Sequence, residues 1–286
     1  DEVCGKRYHE LYELCCGCGN QMGAWSGRPG CWEDEGVFRL CCDFYGDALE
    51  VPNLPCWRDA SGVRRTLELT FAGRRWTVVQ DPSIRVWGPI TGYEEAGLIM
   101  SRVVWHSAYT LARWISEEQS PLSLAGLRVV ELGAGVGLPA MAAAHAGAAS
   151  ALALDIDPRA LALARASTRR SLSEGPLASF AAARLDFRNA TQVAALGTAD
   201  VILVSGQLYD TDLLWPLLAA LRSLCAAGCG LLLVSSTDEW TLPNVNRFIG
   251  AAGSEVGLDI DDVFACSERG LAHPNAGLAC TALSRN

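Results

Sequence analysis

The chain of 286 residues is half apolar and carries a formal net charge of −9 at pH 7. Since domains average about 150 residues, this length allows one large domain or two unequal ones. The negative charge argues against nucleic acid as a partner, because phosphate backbones are bound by clustered Lys and Arg. No apolar run is long enough to span a bilayer, so we expect no membrane insertion. The chain begins with Asp1 and shows no secretory signal pattern, as would a mature form, a fragment or an excised domain.

Cysteine is concentrated near the N-terminus, where eight of the 12 cysteines fall within the first 56 residues among Gly and Trp. Such a segment is typical of a small fold that needs covalent or metal stabilisation. We therefore predict a separate Cys-rich module at residues 1–58. Disulfides are favoured over zinc, because the vicinal pairs Cys15-Cys16 and Cys41-Cys42 do not match a zinc ribbon. Zinc and free thiols stay open as alternatives, and we expect no metal site elsewhere.

Residues 57–64 predict a linker that leads into a second domain at 65–286. Apolar residues alternate from Leu67 to Phe71 and again from Trp76 to Val78. This period of two predicts two strands, and the Ala72-Gly73 step between them predicts a hairpin turn.

Segment 80–93 is rich in Gly and Pro and should be irregular, and apolar residues at helical spacing predict a helix over 94–115. Beyond this helix, short apolar runs alternate with helical patterns, as a parallel sheet requires. Strands are predicted at 129–132, 150–154, 181–185, 200–204 and 231–235, and helices at 138–146, 158–172 and 213–226. Runs at 262–266 and 278–283, with no helix between them, predict an antiparallel pair at the sheet edge. The predicted fold class is α/β, a Rossmann-like seven-stranded sheet that is parallel with one antiparallel edge strand.

The first of these strands ends in Glu131 and continues into a GxGxG turn formed by Gly133, Gly135 and Gly137. Glycines permit the sharp turn from strand to helix and leave no Cβ between the backbone and a bound nucleoside. A dinucleotide would require glycine at the next motif position, which is Leu138. Glu131 would repel a pyrophosphate, whereas S-adenosylmethionine carries a cationic amine and a sulfonium.

The second strand ends in Asp155, 24 residues after Glu131. An acid at about this interval accepts hydrogen bonds from the ribose hydroxyls of a bound nucleoside. The glycine turn and the two acids together predict S-adenosylmethionine as the cofactor. The alternative is an ordinary βαβ unit whose acids only cap strand ends.

From Leu67 to its end the chain resembles the seven-β-strand protein-lysine methyltransferases of methyltransferase family 16. The motifs that carry the resemblance are Gln80 after the hairpin, Gly97, the helix motif Trp105-His106-Ser107-Ala108, the turn Glu131 to Gly137, Asp155, Leu185-Asp186-Phe187, and Tyr209-Asp210 with Pro216-Leu217-Leu218 downstream. One position departs from the family, since the aspartate of its Asp-x-x-Tyr motif is Gly206 here. This departure falls on the acceptor side and leaves the cofactor motifs intact.

The resemblance implies that Asp155 holds the ribose, that Asp186 accepts from the adenine amino group and that Phe187 packs on the adenine ring. It assigns Tyr209 to the acceptor pocket, and Trp105 to the acceptor channel or to the methionine moiety. The structural alternatives are a core role for Trp105, packing under the next helix for Tyr209 and a turn acid for Asp186.

Several further residues have two readings. His106 is a candidate base or an exposed helical residue. Four acids are candidates to replace the missing motif aspartate, or else caps and solvated loop residues. They are Asp210, Asp212, Asp238 and Glu239.

The predicted function is methyl transfer from S-adenosylmethionine to a protein side-chain nitrogen, with lysine favoured. The alternatives are methylation of a small molecule, which Gly206 motivates, and an inactive binding or scaffold protein. We expect a monomer that acts on an unidentified protein. The family resemblance favours the cytoplasm, whereas the clustered cysteines favour the secretory pathway.

Overall fold

A computed structural model describes residues 58–59, 62–63, 66–81, 101–116, 123–236, 242–256, 259–265 and 278–284. The predicted Cys-rich module at 1–58 lies outside these residues except for Arg58. Gly97, Asp238 and Glu239 also lie outside them. None of the described helices has the length and apolar character needed to cross a membrane.

Two short antiparallel ladders open the described chain. Strands β1 (Arg58–Asp59) and β2 (Gly62–Val63) pair antiparallel, so the predicted linker contains a short two-stranded ladder. Strands β3 (Thr66–Phe71) and β4 (Arg74–Val79) form the predicted hairpin. The turn residues Ala72 and Gly73 have φ values of 51° and 65°, the left-handed pair that suits the twist of a two-residue hairpin. The hairpin prediction is confirmed.

A sheet of seven strands forms the centre of the molecule, in the spatial order β7-β6-β5-β8-β9-β11-β10. Neighbours among β5 to β9 are parallel, and β11 is antiparallel to both β9 and β10. The strands are β5 (Arg128–Leu132), β6 (Ser150–Asp155), β7 (Phe180–Arg184), β8 (Ala199–Ser205), β9 (Cys225–Ser236), β10 (Asp259–Ala265) and β11 (Leu278–Ser284).

The α/β prediction is confirmed, with one change of position. The antiparallel strand, predicted at the edge, is β11, which lies one place inside it, and β10 holds the edge. The path from β9 to β10 includes a helix, and a helical crossover preserves strand direction. The returning strand β11 then pairs antiparallel on both sides, in the space between them.

Helices cover both faces of the sheet. They are α1 (His106–Ser116), α2 (Leu138–His145), α3 (Pro158–Ser171), α4 (Glu174–Ser179), α5 (Ala190–Ala194), α6 (Leu214–Leu224) and α7 (Leu242–Ala251). One face is filled by a buried cluster that includes Trp76, Trp114 and Met141, and the other by a cluster that includes Ile202 and Phe248. Strand β5 lies between the two clusters, so its residues are buried on both sides.

The first described helix begins at His106, later than predicted. Residues 101–105 bond to the β3-β4 hairpin instead of forming a helical turn. Asp81 N donates to Arg102 O at 3.1 Å, and Val104 N donates to the Gln80 side-chain oxygen at 2.7 Å. These contacts between distant segments have no counterpart in the periodicity that predicted a helix from residue 94.

The outer edge of β4 is bonded by serines of α3. Ser171 Oγ accepts from Thr77 N at 2.9 Å and donates to Thr77 O at 3.0 Å, while Ser167 Oγ accepts from Val79 N at 2.8 Å. Residues four apart on a helix and two apart on a strand both lie about 6 to 7 Å apart. The two serines therefore substitute for a neighbouring strand and dock the hairpin on the domain.

We expect Ser171→Ala to lower the free energy of unfolding by about 1–3 kcal/mol, because the backbone N–H and C=O of Thr77 lose their hydrogen-bond partner. Chemical denaturation of both proteins measures the difference. Ser179→Ala is the matched control, since the Ser179 hydroxyl bonds only locally to Pro176 O and its loss should cost less than about 0.5 kcal/mol. Equal effects of the two substitutions would contradict the docking role.

Candidate functional site

The glycine turn follows β5 as predicted. Gly133, Gly135 and Gly137 have φ values of 65°, 53° and 76°, which only glycine adopts without strain. A Cβ on Gly135 would lie 2.7 Å from the Ser101 carbonyl oxygen. A Cβ on Gly133 would lie 2.3–2.5 Å from the carboxamide atoms of Gln207. The positive φ values therefore require these glycines, and at Gly135 the Ser101 carbonyl also leaves no room for a side chain.

Glu131 is fully buried and caps helix α2 from the neighbouring strand. Its Oε2 accepts from Ala140 N at 2.9 Å, in place of a cap from Gly137, which has no side chain. Its Oε1 is buried and has no hydrogen-bond partner among the described residues. Burial raises the pKa of Glu131 well above its ordinary value, and the charge of Asp155 adds to the rise. The acid beside the turn thus keeps one acceptor oxygen for a ligand donor.

Asp155 ends β6 and lies beside the glycine turn. Its Oδ2 accepts from Gly135 N and its Oδ1 from Asp157 N, both at 2.8 Å. Burial raises its pKa, and the nearby Asp157 opposes its ionisation further. Because each carboxylate oxygen has two lone pairs, both oxygens can still accept from the hydroxyls of a ribose.

A segment before α1 closes over this region. Asp157 caps α3 by accepting from Arg159 N at 2.9 Å. Its other oxygen accepts from Arg102 Nε at 2.5 Å and from Ser101 Oγ at 3.2 Å. These bonds hold residues 101–102 against the glycine turn. The sequence offered no indication of Arg102, because no local pattern links it to Asp157.

Asp186 lies two residues after β7 and is bonded by its neighbour Arg188. Its Oδ1 accepts from Arg188 Nε at 2.9 Å and its Oδ2 from Arg188 Nη2 at 3.0 Å. This pairing lowers the pKa of Asp186, which stays ionised. Phe187 is half-buried and packs against the core cluster around Val193 and Leu208. The roles of Asp186 and Phe187 toward adenine stay predictions.

The acceptor side follows β8. Gly206 has a φ of 65°, and a Cβ there would lie 2.7 Å from Ser107 Oγ, so an aspartate would require Ser107 to move. Tyr209 is 47% exposed, which disfavours the alternative that it packs under the next helix. Partial burial raises its pKa, with Asp210 and Asp155 adding to the rise and Arg188 opposing it. Tyr209 is therefore accessible on the acceptor side of the predicted site.

The remaining candidates are placed as follows. Trp105 is half-buried and directly precedes α1, where its carbonyl accepts from Tyr109 N at 3.0 Å. His106 is the first residue of α1. Asp210 caps a short 3₁₀ turn by accepting from the backbone N of Asp212, which favours its structural reading. Within the described chain, no group of His, Cys, Asp and Glu is arranged to hold a metal.

The sheet order sets these groups in a row along the carboxyl ends of the strands. Gly206 follows β8, Gly133 follows β5, Asp155 ends β6 and Asp186 follows β7, and these four strands are adjacent in that order. The chain departs in opposite directions after β5 and β8, which is where open α/β sheets bind ligands. Carboxylates at three neighbouring strand ends suit an extended cationic ligand with hydroxyl and amine donors. These residues fit S-adenosylmethionine.

Two solved structures share this fold, and a third is more distantly similar. A Streptococcus mutans protein assigned as a SAM-dependent methyltransferase gives a TM-score of 0.50 at 15% identity, covering 78% of this chain and 56% of that one. A second protein, assigned as a methyltransferase and complexed with SAH, has a TM-score of 0.53 at 13% identity, and the match covers 78% of this chain and 56% of that one. Magnesium protoporphyrin IX methyltransferase from Synechocystis, with bound SAH, has a TM-score of 0.47 at 15% identity, and the match covers 71% of this chain and 92% of that one. The chain thus spans 56% of the length of the first two. A search of curated proteins found no match.

The fold is that of the S-adenosylmethionine-dependent methyltransferases, as the sequence predicted. A family model described as lysine methyltransferase matches residues 89–240, just over half of the chain. The chain belongs to this family. The family membership supports S-adenosylmethionine, the cofactor that the sequence predicted.

Proposed function

We propose that the protein transfers a methyl group from S-adenosylmethionine to a side-chain nitrogen of a protein, with lysine favoured. The observation that carries the proposal is the position of Tyr209. It is half-exposed four residues after the end of β8, in a family described as lysine methyltransferases. The proposal includes a monomeric enzyme, a protein partner as substrate and a cytoplasmic location.

The residues divide into those that hold the cofactor and those that hold the acceptor. Asp155 would accept from the ribose hydroxyls and Asp186 from the adenine amino group, and the buried Glu131 Oε1 would accept a further hydrogen bond beside the turn. The bound cofactor supplies a methyl group on a sulfonium, which a nucleophile displaces directly. The main contribution of the protein is then alignment of the nucleophile.

Tyr209 is suited to alignment rather than to proton abstraction. Its pKa is raised above the usual value of a phenol, so the hydroxyl stays protonated at neutral pH. It can accept from, or donate to, an amine without taking its proton. A lysine must lose its proton before it reacts. Because Gly206 provides no carboxylate, we assign that loss to desolvation of the amine and transfer to water.

The test is labelled methyl transfer from S-adenosylmethionine to the proteins of a cell lysate. We expect Tyr209→Ala to lower kcat by about tenfold to a hundredfold, because the acceptor loses its alignment. The affinity for the cofactor, measured by calorimetry, should change by less than about twofold. Tyr209→Phe keeps the ring and isolates the hydroxyl. Full activity of Tyr209→Ala would contradict the proposed acceptor role.

Gly206 favours a second candidate, methylation of a small molecule. The family aspartate that would face a cationic acceptor is absent at this position, which suits an uncharged acceptor. Label that enters a metabolite extract and not a protein band would support this candidate. Cofactor binding without transfer to either pool would support the third reading, an inactive binding protein.

A further inference from the structure

We propose that Gln207 positions the amino acid end of S-adenosylmethionine, at the crevice between the carboxyl ends of β5 and β8. The inference rests on the cofactor assignment within the proposed function and is independent of the methyl acceptor. Gln207 lies next to Gly206, where the sequence offered no signal for it.

The sheet order determines where each part of the cofactor can lie. With the ribose on Asp155 at the end of β6, and the adenine on the β7 side at Asp186, the rest of the cofactor must extend the other way. The next strand ends in that direction are those of β5 and then β8. Adjacent strands are about 5 Å apart, so an amino acid arm a few bonds long reaches the gap between these two ends.

Gln207 spans that gap. Its Nε2 donates to Gly133 O, after β5, at 3.2 Å and to Ser205 O, at the end of β8, at 3.3 Å. The site of a Cβ on Gly133 is nearly equidistant from Cδ, Nε2 and Oε1 of Gln207, at 2.3, 2.3 and 2.5 Å. The carboxamide therefore packs directly against Gly133, whose φ of 65° only glycine adopts without strain.

The two partners fix which way the carboxamide points. Both are carbonyl oxygens, which accept but cannot donate, so the NH₂ group must face them. Both hydrogen bonds of Gln207 to described residues use Nε2. The Oε1 atom is therefore left as an acceptor. A neutral oxygen with this placement suits a cationic amine. Gln207 thereby supplies a hydrogen-bond acceptor on the side of the site opposite to Asp155.

The experiment is calorimetric titration of three ligands into the intact protein and into Gln207→Met. S-adenosylmethionine and S-adenosylhomocysteine carry the amino acid end, whereas 5′-methylthioadenosine keeps adenine, ribose and sulfur without it. Met preserves the bulk against Gly133 and removes the carboxamide. We expect the Kd of the first two ligands to rise about tenfold or more, because a hydrogen bond to a charged group is lost. The Kd of 5′-methylthioadenosine should change by less than about twofold.

Gln192→Met is the matched control at the other end of the row. Gln192 Oε1 accepts from Asp186 N at 3.1 Å, so this variant should affect all three ligands equally. Equal changes for the three ligands in Gln207→Met, or no change for any, would overturn the proposal. Wild-type protein that binds 5′-methylthioadenosine as tightly as S-adenosylhomocysteine would overturn it too. A failure of methyl transfer alone would count against the proposed function and leave the selective loss of binding as support for Gln207.

Discussion

Asp155→Ala is expected to weaken S-adenosylmethionine binding by about a hundredfold or more. A carboxylate that accepts from two ribose hydroxyls makes two charge-assisted hydrogen bonds, each worth about 1.5–3 kcal/mol. Their joint loss corresponds to a factor of about 10² to 10⁴ in Kd. Calorimetric titration of the cofactor into the wild type and the variant measures the change.

Asp200→Ala is the matched control for this substitution. Asp200 lies near the amino end of β8 and accepts from Arg128 N at 2.8 Å. Its loss therefore removes a hydrogen bond at the amino ends of the strands, opposite to the predicted site. We expect its affinity for the cofactor to stay within about twofold of the wild type. Asp155 also holds the backbone of Gly135 and Asp157, so thermal unfolding is followed in parallel to verify the fold. A folded Asp155→Ala protein that binds like Asp200→Ala would refute the ribose assignment.

The strands and the hairpin were predictable because their signals are local. The alternation of Leu67, Leu69 and Phe71 sets a strand with one buried face, and all three side chains are buried as that period requires. Strands β5 to β8 are short apolar runs between helical patterns, and their bounds agree with the predictions within one residue. The short helices α4 and α5 were missed because each has too few residues to display a period.

The features that escaped prediction depend on contacts between distant segments. The late start of α1 follows from bonds to Gln80 and Asp81 across the hairpin. Gln207 contacts Gly133 only because the sheet brings β5 beside β8. The acid at Glu131 was predicted from its position in a motif, but its capping of α2 follows from the path of the turn. The sequence therefore indicated the candidate acids, whereas their hydrogen-bond partners became evident only from the fold.

Glu131 gives the largest expected effect on stability. Glu131→Ala should lower the free energy of unfolding by about 2–4 kcal/mol, because it leaves Ala140 N without its acceptor and opens a cavity. Glu131→Gln keeps an oxygen for Ala140 N and nearly the same volume, so its cost should be below about 1 kcal/mol. Chemical denaturation separates the two variants. Equal destabilisation by both would show that the charge, and not the cap, supports the fold.

The pH dependence of stability tests the raised pKa of Glu131 in the same proteins. A carboxyl whose pKa is higher in the folded state binds its proton more tightly there, so stability is greatest at low pH and falls as pH rises through the folded pKa. Gln does not titrate, so the wild type should lose stability relative to Glu131→Gln as pH rises above the ordinary carboxyl range. Cofactor binding should release protons, because a nearby cation favours the ionised carboxylate, and this release should diminish in Glu131→Gln. Calorimetry in buffers of different ionisation enthalpy measures it, and an unchanged release would place the ligand's positive charge away from Glu131.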